Sequence, residues 1–119
     1  MVYRITVRGR DTVVATHVRK AESLKDRMIG LLGKPGLPEH EGLWIDPCKS
    51  IHTIGMRFPI DAIFVDQSLA VVRVIHSLGT GRVTRIHWSA RSVIEISAGA
   101  ARSAGIVPGD RLQASRDNT

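Results

Sequence analysis

The nineteen residues from Cys48 to Asp66, CKSIHTIGMRFPIDAIFVD, constrain the fold more than any other stretch. Ile60 to Val65 is a six-residue run, apolar except for Asp61 and rich in β-favouring side chains, stopped by Pro59 on one side and by Asp66-Gln67-Ser68 on the other. That length and those boundaries describe a buried strand, since a helix needs ten or more residues. Ala70 to Ile75 follows the turn at once, so the two runs form a central hairpin.

The rest of the chain carries the same signature. Tyr3, Ile5 and Val7 alternate with Arg4, Thr6 and Arg8, the period of a half-buried strand, and Thr12 to Val18 returns after the Gly9-Arg10-Asp11 turn. Further strands are expected at Leu43 to Ile45, Ser50 to Ile54, Ser92 to Ser97 and Arg111 to Ala114, with Arg82 to Trp88 as a weaker strand or extended loop. Ala98 to Gly105 suits a short helix or turn, and Ser115 to Thr119 suits a frayed end. One amphipathic helix is expected after Ser23, where Leu24, Met28, Leu31 and Leu32 fall on one face. Gly30 within it implies close packing or an early end. Trp44 reads as a cover for the core edge.

About seven short strands and one helix in 119 residues make a mainly β (α+β) domain, 1–119. The expected form is an antiparallel curled sheet, small barrel or sandwich, with the helix packed on it.

Composition narrows the function classes. Seventeen Lys and Arg against eleven Asp and Glu leave a net charge of +6, which invites a nucleic-acid reading. Residues 1–60 hold ten cations and six anions and residues 61–119 hold seven and five, with no run of five or six like charges. Charge in this form suits solvated faces, and nucleic acid stays a second alternative. One cysteine excludes an internal disulfide framework. No stretch of eighteen apolar residues occurs and MVYRITVRGR has no apolar leader core, so neither a membrane partner nor export is expected, and the setting is the cytoplasm.

Few residue sets suggest chemistry. Cys48 and His52 are four apart, a spacing known from zinc sites, but no second pair completes a set of four ligands, and no metal or cofactor is expected. As a nucleophile pair, they would sit about 13 Å apart along an extended strand, too far for the base to take the thiol proton. Gly99, Gly105 and Gly109 match no phosphate-binding fingerprint and read as turn residues. Asp61 and Glu95 are more telling, because each interrupts an apolar strand, in IDAIFV and SVIEIS. A buried carboxylate must be hydrogen-bonded, paired or protonated. The two could be an acid/base pair, or acids held by loop amides or an arginine.

Taken together, SIHTIGMRFPIDAIFVD, EISAG and GIVPGD resemble the DUF 192 family of uncharacterised proteins, over about residues 21–112. The resemblance implies a compact β-rich domain, with Asp61 and Glu95 at the family's recurring acidic positions. IHTIGM, from Ile51 to Met56, stands where the family more often has an aromatic-Met-x-Asn-Thr run.

The leading functional expectation is a non-enzymatic module that binds a small molecule or a protein around His52, Thr53, Met56, Asp61 and Glu95. The alternative is a hydrolase-type or metal-assisted enzyme using Asp61 or Glu95 with His52.

Overall fold

In the computed structural model, residues 1–21, 31 and 34–116 are described. Among the described residues there are seven strands, β1 (Val2–Val7), β2 (Thr12–Ala21), β3 (Glu41–Ile45), β4 (Ile60–Val65), β5 (Val71–Leu78), β6 (Ser92–Ser97) and β7 (Leu112–Arg116), and a four-residue helix, α1 (Ala100–Ser103), between β6 and β7. They form a single sheet in the order β5-β4-β6-β3-β2-β1-β7. The expected β-rich domain is therefore present, and both the opening and the central hairpins are formed.

One pairing differs from the antiparallel expectation. Strands β2 and β3 run parallel, His17 beside Glu41 and Ala21 beside Ile45. A parallel pair needs a crossover of about a dozen residues or more, and 22–40 supplies that length between them. The expected helix after Ser23, with Gly30, lies outside the described residues except at Leu31, which is helical and buried. Ser50 to Ile54 is not a strand but a single bridge, His52 to Val83. Pro59, Gly55 and the tight turn after Thr53 leave it no room for a regular ladder. Of the end expected to fray, Ser115 and Arg116 are paired with β1 in β7, as far as Tyr3 and Arg116, and 117–119 lie outside the described residues.

The sheet curls until its two edges meet at one end. Ala70 pairs with Arg111, the Val71 amide donates to the Asp110 carbonyl at 2.7 Å, and the Leu112 amide donates to Leu69 at 2.9 Å. This ties the beginning of β5 to the beginning of β7 and makes a half-barrel. The preceding turn is held by Asp66, whose Oδ1 accepts from the Ser68 amide and hydroxyl and from the Ala70 amide. The Ser68 hydroxyl, with the two amides, holds the Asp66 carboxyl below its ordinary value.

Strands β4 and β6 are buried along nearly their whole length because both faces of the sheet are covered. Inside the curl, Ile63, Val65, Ile94 and Ile96 pack with Ile5, Val18 and Leu112. On the outer face, Ile60, Ala62, Phe64 and Val93 lie beneath Ile51, Met56, Phe58 and Ala90. Burying Phe64 completely is worth about 1.5–3 kcal/mol. Trp44 covers the core edge as expected, with its indole N–H donating to Ser92 Oγ at 2.9 Å.

Gly42 of β3 is the tightest point of the sheet. A Cβ there would stand 2.8 Å from the Glu95 carbonyl oxygen and 3.1 Å from Ile96 Cγ2. Gly42→Ala is expected to destabilise the domain by about 1–3 kcal/mol, because the nearest atom belongs to backbone that cannot step aside. Urea unfolding checks this, and an unchanged midpoint would contradict the packing described.

Candidate functional site

Asp61 lies inside the curl, wholly shielded from solvent. Its place is made by a bulge in β5: Ile60 pairs with Leu78 and Ala62 with Ile75, so His76 and Ser77 together oppose Asp61. Ser77 adopts a φ of 49°, a left-handed conformation, and directs its amide at Asp61 Oδ1, 2.8 Å away. The other oxygen, Oδ2, accepts from the amides of Gly99 at 3.0 Å and Ala101 at 2.9 Å. Gly99 begins α1 with a φ of 93° and has no side chain to cap it, so the carboxylate of a distant strand does so. Backbone amides, one from the bulge in β5 and two from the start of α1, thus hold Asp61, where loop amides or an arginine were expected.

Glu95 does not join it. Asp61 stands opposite Ile96 in the β4/β6 ladder, whereas Glu95 stands opposite Ala62, and on its other side opposite Leu43. Cross-strand partners share a face and successive side chains alternate. Glu95 therefore belongs with Ala62 and Leu43 on the outer face, and the two carboxyls project from opposite sides of the sheet.

The other expected site residues gather on that outer side, in the segment that covers it. Thr53 is fully buried and works as a clamp. Its hydroxyl donates to the Gly79 carbonyl at 2.6 Å and accepts from the Arg82 amide at 2.9 Å, while its carbonyl accepts from Gly81 and Met56. His52 bridges to Val83, and Met56 is in the outer core. Farther back, Thr84 and Ile51 exchange bonds, and the His87 amide donates to the Lys49 carbonyl. Cys48 donates its thiol proton to the Ser50 carbonyl at 3.0 Å. Segments 48–56 and 79–90 are thus laced into one layer.

Charge is unevenly distributed in and around that layer. Residues 47–60 and 67–94 contain no Asp or Glu, but hold Lys49, Arg57, Arg73, Arg82, Arg85 and Arg91. These six cations equal the whole net charge of +6, and the remaining eleven cations match the eleven acids. Lys49 Nζ is taken up by the carbonyls of Trp88 and Ala90, and Arg91 by Asp46 at 2.8 Å. Arg57, Arg73, Arg82 and Arg85 are exposed and pair with no described acid.

Three of them converge. Arg73, Arg82 and Arg85 line a groove of about 370 Å³ between β5 and the 79–87 loop, together with His76, Ser77, Thr84 and His87. A larger hollow of about 520 Å³ beside α1 has only Glu39 and His40 as ionisable lining. Like charges facing one groove without a counter-charge repel, and an anion placed among them relieves that repulsion. His87 stacks on Phe64 with ring centroids 4.3 Å apart. Burial lowers its pKa, and the neighbouring charges of Arg73 and Arg85 lower it further. Both effects favour the neutral ring.

The class defined by this architecture is a small, mostly β half-barrel with a basic outer layer. The model of the DUF192 family, described as uncharacterized ACR, matches residues 4–114, and the chain belongs to that family. The match extends beyond the 21–112 expected, taking in β1. No curated protein matches the chain. Among solved structures, the fold is similar to a protein of unknown function from Novosphingobium aromaticivorans DSM 12444. That protein is 21% identical with a TM-score of 0.78, over 95% of this chain and 84% of the other. It is also similar to a proposed transcription regulator from Sinorhizobium meliloti 1021, 19% identical with a TM-score of 0.73, over 94% and 91% of the two chains.

The position of His87 gives a direct test of the groove's electrostatics. Its depressed pKa means that the folded protein loses stability as pH falls from the unfolded value near 6.5 through the folded one. Replacing Arg73 and Arg85 by alanine is expected to move the His87 titration, followed by NMR, upward. A titration that stays put would show that the guanidinium groups do not act on this ring.

Proposed function

We propose that the domain is a non-enzymatic binding module that takes a small anionic ligand, bearing phosphate or carboxylate groups, in the groove between β5 and the 79–87 loop. One observation carries this reading: Arg73, Arg82 and Arg85 face a common groove with no described acid to neutralise them. Guanidinium groups suit phosphate and carboxylate because their N–H pairs match two oxygens at once. Ser77 and Thr84 add hydroxyls on the same wall.

The residues of the IHTIGM stretch keep a part in this reading, as supports. Thr53 fixes the backbone at Gly79 and Arg82, and His52 pairs with Val83, so both set where Arg82 and Arg85 stand. Met56 packs the covering layer onto the sheet, Glu95 stands on the outer face of β6, and Asp61 holds Ser77 at the groove's edge. We favour binding over acid/base catalysis because Asp61 and Glu95 lie on opposite faces, and an acid and a base must reach one substrate. We assign the protein to the cytoplasm, where a lone thiol such as Cys48 stays reduced.

Pyrophosphate is a suitable probe. Titrated into the protein, it is expected to shift the NMR signals of Arg73, Ser77, Arg82, Arg85 and His87. Arg82→Ala with Arg85→Ala is expected to weaken binding about tenfold or more per arginine, given about 1.5–3 kcal/mol for a hydrogen bond to a charged group. Shifts confined to other parts of the molecule, or an affinity indifferent to both substitutions, would overturn the assignment.

A further inference from the structure

The layer that carries the arginines also carries most of the exposed apolar surface. Among the described residues, six large hydrophobic side chains stand exposed, and four of them, Ile54, Val83, Ile86 and Trp88, belong to the laced segments 48–56 and 79–90. Trp88 is 75% exposed and Val83 70%. Their backbone is tied down: Thr53 holds Arg82, Ile51 holds Thr84, Lys49 Nζ holds the carbonyls of Trp88 and Ala90, and the His87 amide is bonded to Lys49. An anchored backbone that displays apolar side chains to water, at a continuing solvation cost, marks an interaction surface.

Charge restricts what that surface meets. The apolar tips are interspersed with Arg82 and Arg85 and flanked by Arg57 and Arg73, without one acid in either segment. An acid-free rim selects an anionic partner. The tips themselves separate two such partners. Successive bases of a single-stranded nucleic acid need aromatic faces to stack on, and of the four tips only Trp88 offers one, the other three being aliphatic. The headgroup boundary of a bilayer accepts aliphatic side chains just below it, an indole at its level and arginines at the phosphates.

We propose that segments 48–56 and 79–90 form a peripheral docking surface for an anionic lipid bilayer, with Val83, Ile86, Trp88 and Ile54 entering the interface and Arg57, Arg73, Arg82 and Arg85 meeting lipid phosphates. The proposal rests, for its charge, on the anion-binding face described above; its apolar half is independent of it. Docking of this kind needs no membrane-crossing segment, so it is compatible with a chain in which no described helix is long and apolar enough to cross a membrane.

The test uses the full chain with phosphatidylcholine vesicles, with and without phosphatidylglycerol, read by co-sedimentation and by quenching of tryptophan emission with brominated acyl chains. Trp44 is buried, so quenching reports Trp88. Expected are binding to the anionic vesicles alone, quenching of Trp88, and partitioning about thirty-fold weaker for Arg82→Ala with Arg85→Ala, at about tenfold per 1.4 kcal/mol and about 1 kcal/mol for each arginine near the surface. Ile86→Ser with Trp88→Ser is expected to abolish sedimentation while leaving the pyrophosphate response intact, which also verifies the fold. Pyrophosphate binding without vesicle binding would overturn the docking surface and leave the anion site standing. Absence of both would remove both. Binding to a single-stranded oligonucleotide in place of vesicles, or vesicle binding unaffected by the Ile86 and Trp88 changes, would equally overturn the proposal.

Discussion

Asp61 brings a carboxylate into a strand that water does not reach, and an uncompensated ion in such a place costs several kcal/mol. The fold offsets this by bending two pieces of backbone, which supply three amides, toward it. The bulge at Ser77, the left-handed turn at Gly99 and the first turn of α1 all end in an amide aimed at one of its two oxygens. Since Ser77 belongs to the edge strand β5, and α1 follows β6 in the chain, this single acid ties β4 to the strand on one side of it and to the connection that leaves the strand on its other side. The clasp between Ala70 and Arg111 then holds the two edges together. A group that would be a candidate catalyst by composition is therefore occupied as a structural link.

Burial on both faces of β4 and β6 has a second consequence. The outer face needs a cover, and 48–58 with 79–90 supplies it through Ile51, Met56, Phe58 and Ala90. Those segments are fixed by main-chain and threonine bonds, with no need for ion pairs, so their arginines remain available. Structure and surface are thus divided between different atoms of the same residues: the backbone of Arg82 closes the layer, and its guanidinium faces the groove. The inferred anion and bilayer contacts both follow from that division.

Much of the fold was legible in the residues. Alternation over Tyr3 to Val7, the continuous run from Ile60 to Val65 and the turn at Asp66 report local burial, which side-chain period encodes directly. The parallel β2/β3 pair was not legible, because partners separated by the residues 22–40 leave no local trace. The need of Asp61 for donors was visible, but not their identity: nothing in a Ser-Leu sequence announces that Ser77 adopts a positive φ. Pairing Asp61 with Glu95 failed on register alone. One residue of offset, Asp61 opposite Ile96, sends the two carboxyls to opposite faces. The basic layer was present in the sequence as two acid-free segments, which fall in different halves of the chain.

Replacing Asp61 by asparagine tests the central link most directly. The side chain keeps its shape but exchanges one acceptor oxygen for a donor, so at least one of the amides of Ser77, Gly99 and Ala101 loses its partner and the charge that strengthens all three bonds is gone. Urea unfolding of Asp61→Asn should show a loss of about 2–4 kcal/mol relative to the wild-type protein. A variant as stable as wild type, with those three amides still protected from hydrogen exchange, would contradict the role assigned to this carboxylate.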